Sequence, residues 1–339
     1  MKYREEKDFT KSYKEDYVKG LEYIIQERLK NAETIRNEYI AEVFLEQEKY
    51  RDDFKKMLGW PLVKYHTDKL PAVKSKLLDE EDDYKVYRMQ FEFLEGLNMT
   101  GLFFKLNGDN EKPLVIVQHG KLGTPELISG IYGNTANYND MLSRVRKKGV
   151  HVFAPQLLLW DDEYGVGFDR DNIDARLKAV GSSITAIEIF GIIRILDYFE
   201  HEDYVSSFGM MGLSYGGFYS LYTAAIDIRI KSVISCSFFN KRDVIGWSDW
   251  TWFESAKKFD DAEVACLIYP RKLYIEIGNK DELFDYKYGI ESFEKLKKMC
   301  KKIGTEWVDF KVFSGTHEFY HADEHIQKLV NDIRKKSNL

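Results

Sequence analysis

The chain has 339 residues, of which 44% are apolar, 31% charged and 15% aromatic. That content can fill a large core, so intrinsic disorder and low-complexity fibres are excluded, and at ~150 residues per domain the length allows about two domains. The formal net charge of −6 argues against nucleic acid or an anionic membrane as a partner, because both attract clustered positive charge.

Residues 1–60 carry 13 basic and 14 acidic side chains and no proline. Charges interrupt the first residues too often for a signal-peptide core, and no run approaches the ~18 apolar residues of a membrane span. The expected location is the cytoplasm. Cys236, Cys266 and Cys300 are widely spaced, which points to buried thiols rather than a disulfide framework or zinc knuckle. Apolar residues recur at helical spacing from Tyr17 and Leu21 through Ile24, Leu29, Ile40 and Phe54. Gly59 and Pro61 mark the end of this helical stretch. A helical extension over residues 1–62 is therefore expected, either packed on the main domain or acting as an arm that joins copies into a homo-oligomer.

From about residue 83 strands alternate with helices. YKVYRMQFEF and MTGLFFKL read as early strands, and PLVIVQHG as a strand buried on both faces. A helix capped by Gly149 follows, then the strand VHVFAPQ and a long helix over 182–200 opened by serines. SFGMMGLS, SVISCSFF, KLYIEIG and WVDFKVFSG complete the strands, and a helix ends the chain. This order predicts an α/β fold: a mostly parallel, doubly wound sheet over residues 63–339 with helices on both faces. Two stretches, 156–181 and 240–263, fit the alternation poorly and read as lid-like inserts at strand ends.

Gly212-Leu213-Ser214-Tyr215-Gly216 lies between an apolar strand and a helical run. G-x-S-x-G in that setting makes a sharp turn that lifts the serine hydroxyl above the sheet. Glycines are required because side chains there would collide with neighbouring elements. Serine needs a base to become a nucleophile. The chain supplies an acid and a histidine in the order expected downstream, Asp281 after one strand and His317 after the next. Glu282 and Asp243 are alternative acids. The amide of Tyr215, at a helix N-terminus, and that of Lys121, after His119-Gly120, are the expected oxyanion donors. His119 reads as a structural hydrogen-bonder beneath that turn.

These segments resemble the α/β-hydrolase superfamily across roughly residues 80–335. IVQHGKLGTPE, GMMGLSYGGFYS, AAIDIRI, YPRKLYIEIGNKDELF and FSGTHEF look like its dienelactone hydrolase and acetyl xylan esterase-like branch, some members of which carry a helical N-terminal extension. The resemblance implies Ser214 as nucleophile, Asp281 as acid, His317 as base and oxyanion donors after Ser214 and Gly120. It further implies cofactor-free hydrolysis of carboxylic esters, often acetyl groups on carbohydrates. Dienelactone hydrolase itself uses a cysteine where this chain has Ser214. G-x-S-Y-G-G is also similar to prolyl-oligopeptidase-type peptidases, but the charged, helix-patterned N-terminus cannot build their upstream propeller.

A rival pattern is His317-Glu318-Phe319-Tyr320-His321, which reads H-E-x-x-H, with His325 beyond. Zinc chemistry needs both histidines on one helix face. The Ser314-Gly315-Thr316 break sets His317 at or before a helix start, and a ligand at i+8 would lie about 12 Å away at ~1.5 Å rise per residue. No metal is therefore expected.

Four tryptophans fall in the inserts: Trp160, Trp247, Trp250 and Trp252. Trp160, Trp247 and Trp250 are candidate platforms for a saccharide ring, and Asp161, Asp162, Arg170, Asp171 and Asp249 candidate hydroxyl binders. The other reading of these tryptophans is the core of a small lid. The expected substrate is a small-molecule or saccharide ester.

Overall fold

A computed structural model describes residues 4–60, 69–94 and 96–335. Pro61 and the expected boundary at 62–63 lie outside the described residues.

The N-terminal segment forms two helices rather than one, α1 (Lys11–Tyr39) and α2 (Gln47–Leu58). The break follows from packing. Ile40 and Val43 turn into the core, and Tyr50, Phe54 and Leu58 of α2 follow them. Gly59 closes α2 in the left-handed region, where a β-carbon would lie 2.5 Å from the Ser182 Cα.

Nine strands form one sheet: β1 (Ala72–Glu80), β2 (Tyr84–Leu94), β3 (Leu97–Leu106), β4 (Lys112–Gln118), β5 (His151–Pro155), β6 (Val205–Leu213), β7 (Ile230–Cys236), β8 (Lys272–Gly278) and β9 (Val308–Phe313). Their order is β1-β2-β3-β5-β4-β6-β7-β8-β9. β1 to β3 are antiparallel, β3 runs against β5, and pairing is parallel from β5 to β9. The expected parallel sheet thus carries an antiparallel flank. Sequence pattern missed β1, an edge strand whose AVKSKLLDE residues are nearly all exposed and show no apolar alternation.

The remaining helices are α3 (Pro125–Ser129), α4 (Met141–Arg146), α5 (Arg170–Ala179), α6 (Ile184–Glu200), α7 (Tyr215–Ile226), α8 (Asp261–Cys266), α9 (Tyr286–Met299) and α10 (Glu324–Arg334). α6 begins where expected, because the Ser183 side chain accepts from the Ala186 amide. One core cluster holds α2, α6 and α7 against one sheet face, and a second holds α4 and α10 against the other. The three cysteines are free and buried. No single helix among the described residues is long and apolar enough to cross a membrane.

Candidate active site

Between β6 and α7 the chain makes the expected sharp turn. Ser214 sits at φ 60°, ψ −123°, a conformation that costs a non-glycine residue roughly 1–3 kcal/mol. Neighbouring backbone leaves it no alternative. A β-carbon at Gly212 would lie 2.4 Å from the Gly216 carbonyl carbon, and one at Gly216 would lie 2.1 Å from the Gln118 carbonyl oxygen. The Ser214 amide donates to the Cys236 carbonyl at 2.9 Å, and its own carbonyl accepts from Phe218, which starts the helix.

Asp281 and His317 follow β8 and β9 and meet. His317 Nδ1 lies 2.8 Å from Asp281 Oδ2. Asp281 Oδ1 accepts from the Leu283 and Phe284 amides, each at 2.9 Å, which fixes the carboxylate plane. The alternative acids Glu282 and Asp243 are exposed, whereas Asp281 is buried against the imidazole. The Phe284 ring stacks on His317 with centroids 5.6 Å apart. Asn137 Nδ2 donates to the His317 carbonyl at 2.8 Å, and the Phe319 amide donates to the Asn137 carbonyl at 2.8 Å, so the histidine loop is tied to the chain before α4. The Glu318 carbonyl reaches Cys236 Sγ and Ser237 Oγ at the end of β7. Since the Cys236 carbonyl also holds the Ser214 amide, the serine and histidine turns share one strand end.

The third turn is His119-Gly120-Lys121. A β-carbon at Gly120 would lie 3.1 Å from Ser214 Cβ, so this turn presses directly on the serine. The Gly120 amide is taken by Tyr138 Oη at 2.9 Å. The Lys121 amide donates to no acceptor among the described residues. The Tyr215 amide is the first N–H of α7, which has no intrahelical acceptor. His119 is fully buried. Its Nε2 accepts from the Leu157 amide at 3.1 Å, which leaves Nδ1 to donate to the Gly120 carbonyl at 2.8 Å. Burial pushes its pKa down to about 4, so it is a neutral strut under the turn.

The two inserts are clamped together and joined to the side chain of Tyr215. Arg170 Nε donates to Asp249 at 2.7 Å, its Nη2 to Glu188 at 2.9 Å, and its Nη1 to the Leu158 carbonyl. Tyr219 Oη joins Glu188, and Tyr215 Oη donates to Asp249 at 3.0 Å. Arg170 and Asp249 are therefore committed to one another and do not present free groups to a sugar. Asp161 accepts from the Glu163 amide and Asp171 from Ser248 Oγ. Sequence reading missed Glu188, although a lone carboxylate inside the apolar run of α6 signals a buried ion pair.

The tryptophans divide. Trp250 is only 3% exposed, packed among Phe218, Phe238 and Phe284, so the expectation that it is a platform is corrected: its ring belongs to the core. Trp252 is buried too. Trp247 is 37% exposed, stacks on Tyr215 at 5.7 Å with planes 4° apart, and has Lys121 Nζ 5.9 Å from its centroid. Trp160 is half-buried against Phe168, with Nε1 donating to the Val166 carbonyl.

The H-E-x-x-H pattern is not on a helix, because α10 starts only at Glu324. His317 Nδ1 is committed to Asp281, His321 pairs with Glu318 at 3.0 Å, and buried His325 pairs with Glu276 at 2.8 Å. The zinc-protease arrangement is thereby overturned.

No protein-family model matches the chain. YtaP of Bacillus subtilis (strain 168), a presumed hydrolase, is 26% identical over 250 residues, which is 67% of this chain and 80% of that protein. A glucuronoyl esterase from Solibacter usitatus superposes with a TM-score of 0.64 at 12% identity, over 86% of this chain and 93% of that one. Acetyl Xylan Esterase 1 from Thermoanaerobacterium sp. JW/SL YS485 gives 0.56 at 16% identity, over 85% and 93%. The chain has the α/β-hydrolase fold.

Proposed function

We propose that the protein is a serine hydrolase of carboxylic esters. Its nucleophile is Ser214, its base His317 and its acid Asp281. The observation that carries this reading is that a serine held in a left-handed turn and the turn bearing the Asp281–His317 pair are both hydrogen-bonded to the carboxyl end of β7. Open α/β sheets bind ligands at the carboxyl ends of their strands, which is where these turns lie.

In this reading Ser214 Oγ attacks the ester carbonyl carbon as its proton passes to His317 Nε2. Asp281 holds the tautomer and stabilises the imidazolium. The Tyr215 and Lys121 amides donate to the oxyanion. The carbon–oxygen bond to the alcohol breaks, and the alcohol leaves with the proton from His317. Water, deprotonated by His317, attacks the acyl-enzyme carbonyl. Ser214 recovers its proton and the carboxylic acid departs.

The substrate we infer is a short acyl ester, such as an acetyl group, on a carbohydrate. Trp247 supports it, since its partly open ring stacks on the residue after the nucleophile. The neighbouring acetyl xylan and glucuronoyl esterases are named for carbohydrate-borne esters. The test is a substrate panel with Ser214→Ala as control. Acetylated sugars and aryl acetates are expected to turn over, with the variant losing several orders of magnitude in kcat. Turnover retained by Ser214→Ala refutes the nucleophile. A preference for long acyl chains refutes the sugar ester, and faster cleavage of the matched amide refutes an esterase.

A further inference from the structure

Helix α1 touches the body mainly through its last turns. Ala32, Arg36 and Ile40 are buried, and Arg36 reaches Glu263 at 3.1 Å, Asp260 at 3.5 Å and the Ala256 carbonyl. The preceding turns carry large apolar side chains into solvent: Tyr13 is 67% exposed, Tyr17 70% and Ile24 55%.

At about 100° per residue, Tyr13, Tyr17, Gly20, Ile24 and Asn31 fall within a sector of about 60°. That sector lies roughly 120° around the helix from the face that docks on the body. Gly20 is unexplained by its own chain. A mid-helix glycine costs about 1 kcal/mol relative to alanine, and beyond its neighbours and its own helix backbone no atom lies within 4 Å of where its β-carbon would be. At the border of an exposed sector that holds Tyr13, Tyr17 and Ile24, a glycine lets another helix backbone approach closely.

Charges flank the stripe by sign. Lys14 and Arg28 lie on one side, Asp16 and Glu27 on the other, all exposed. Glu27 also touches Lys30 at 2.9 Å, an exposed pair worth little. A parallel two-fold pair sets the basic flank of one helix against the acidic flank of its mate at similar height. An antiparallel pair sets like flanks together. A foreign partner of one charge sign would not need both flanks.

We propose that α1 is a dimerisation arm on which two copies of this chain pair in parallel, with Gly20 at the close approach. The pairing buries the exposed tyrosines and Ile24, and sets Lys14 and Arg28 of each copy beside Asp16 and Glu27 of the other.

Sedimentation equilibrium of the full chain tests this, alongside Tyr17→Glu/Ile24→Glu. The unaltered chain is expected to form a concentration-dependent dimer, and the double variant a monomer with unchanged melting temperature and hydrolytic rate. A chain that stays monomeric throughout, or a double variant that stays dimeric, overturns the proposal. Orientation is read from Asn31→Cys, which lies in the stripe sector while the native thiols are buried. Oxidation is expected to give a disulfide-linked dimer through position 31. A dimer that resists this cross-link overturns the parallel arrangement. Lys14→Glu/Arg28→Glu and Asp16→Lys/Glu27→Lys should each weaken self-association and form a heterodimer when mixed. Failure of the mixture to associate removes the charge argument.

Discussion

Gly120 stands against Ser214: a β-carbon on the glycine would lie 3.1 Å from the serine Cβ and 3.0 Å from the Leu213 carbonyl oxygen. The 119–121 turn and the Ser214 turn are thus one packed unit, and a methyl group between them must push them apart by a few tenths of an ångström. Gly120→Ala is expected to lower kcat about 10- to 100-fold, because misplacement on that scale is felt at the reacting centre. The melting temperature should change little. Steady-state rates on an aryl acetate decide it, and an unchanged kcat would mean that the 119–121 turn supplies no donor.

The two oxygens of Asp281 have different duties. Oδ1 is held by two backbone amides, while Oδ2 faces His317 Nδ1. In Asp281→Asn the carbonyl oxygen can keep the amide bonds, so the –NH₂ is left facing the imidazole. That favours the opposite tautomer, with Nδ1 as acceptor and Nε2 protonated. On this basis kcat should fall by about 10⁴ without loss of fold. The exposed neighbour offers the control, since Glu282→Gln should leave kcat unchanged. If Glu282→Gln is the damaging change, the acid has been misassigned.

How much of this could be read from sequence depends on how local the cause was. The serine turn was legible because the glycines, the strand and the helix that frame it are contiguous in the chain, from Val205 to Ile226. That an acid after β8 and His317 after β9 would meet was legible from their order, while the choice of Asp281 over Glu282 as the contacting carboxylate required knowing which one is buried. β1 was not legible, since its charged edge residues carry no alternation. The two-helix break near Ile40 was hidden because the apolar period continues across it, and only packing on α7 shows the turn. The Arg170–Asp249 pair joins residues 79 apart in two inserts, and no spacing announces it. Trp250 misled for the same reason: a tryptophan in an irregular segment looks available until the segment folds back over Phe218.

Acid should weaken the fold through His119. Its pKa is about 4 in the folded chain, against an ordinary value of 6.5, because burial disfavours the charged ring. The unfolded chain therefore takes up a proton on this residue between pH 6.5 and 4 that the folded chain refuses. The folded state loses about 1.4 kcal/mol per pH unit across that window, reaching about 3 kcal/mol near pH 4, and loses nothing from this source above pH 6.5. Urea unfolding at pH 7, 6 and 5 measures the slope. His119→Gln, which keeps an acceptor for the Leu157 amide, should flatten it by close to one proton. An equal slope in the variant would place the acid sensitivity elsewhere.

Trp247 and Trp250 touch, with ring centroids 4.6 Å apart, yet should behave as opposites. Trp250 is enclosed by Tyr215, Phe218, Phe238 and Phe284, so Trp250→Ala opens a cavity in the floor of the site. A loss of about 3–5 kcal/mol in stability is expected, and activity should fall with it because Tyr215 loses its support. Trp247 keeps an open face, so Trp247→Ala should cost little stability. If a sugar ring rests there, the variant should show a raised KM for acetylated saccharides and a nearly unchanged KM for a small aryl acetate. Trp247→Phe should recover part of the difference, since stacking needs a flat ring more than an indole. Equal effects on both substrates would show that Trp247 shapes the wall of the site without reading the alcohol, and the saccharide assignment would then lose its structural support.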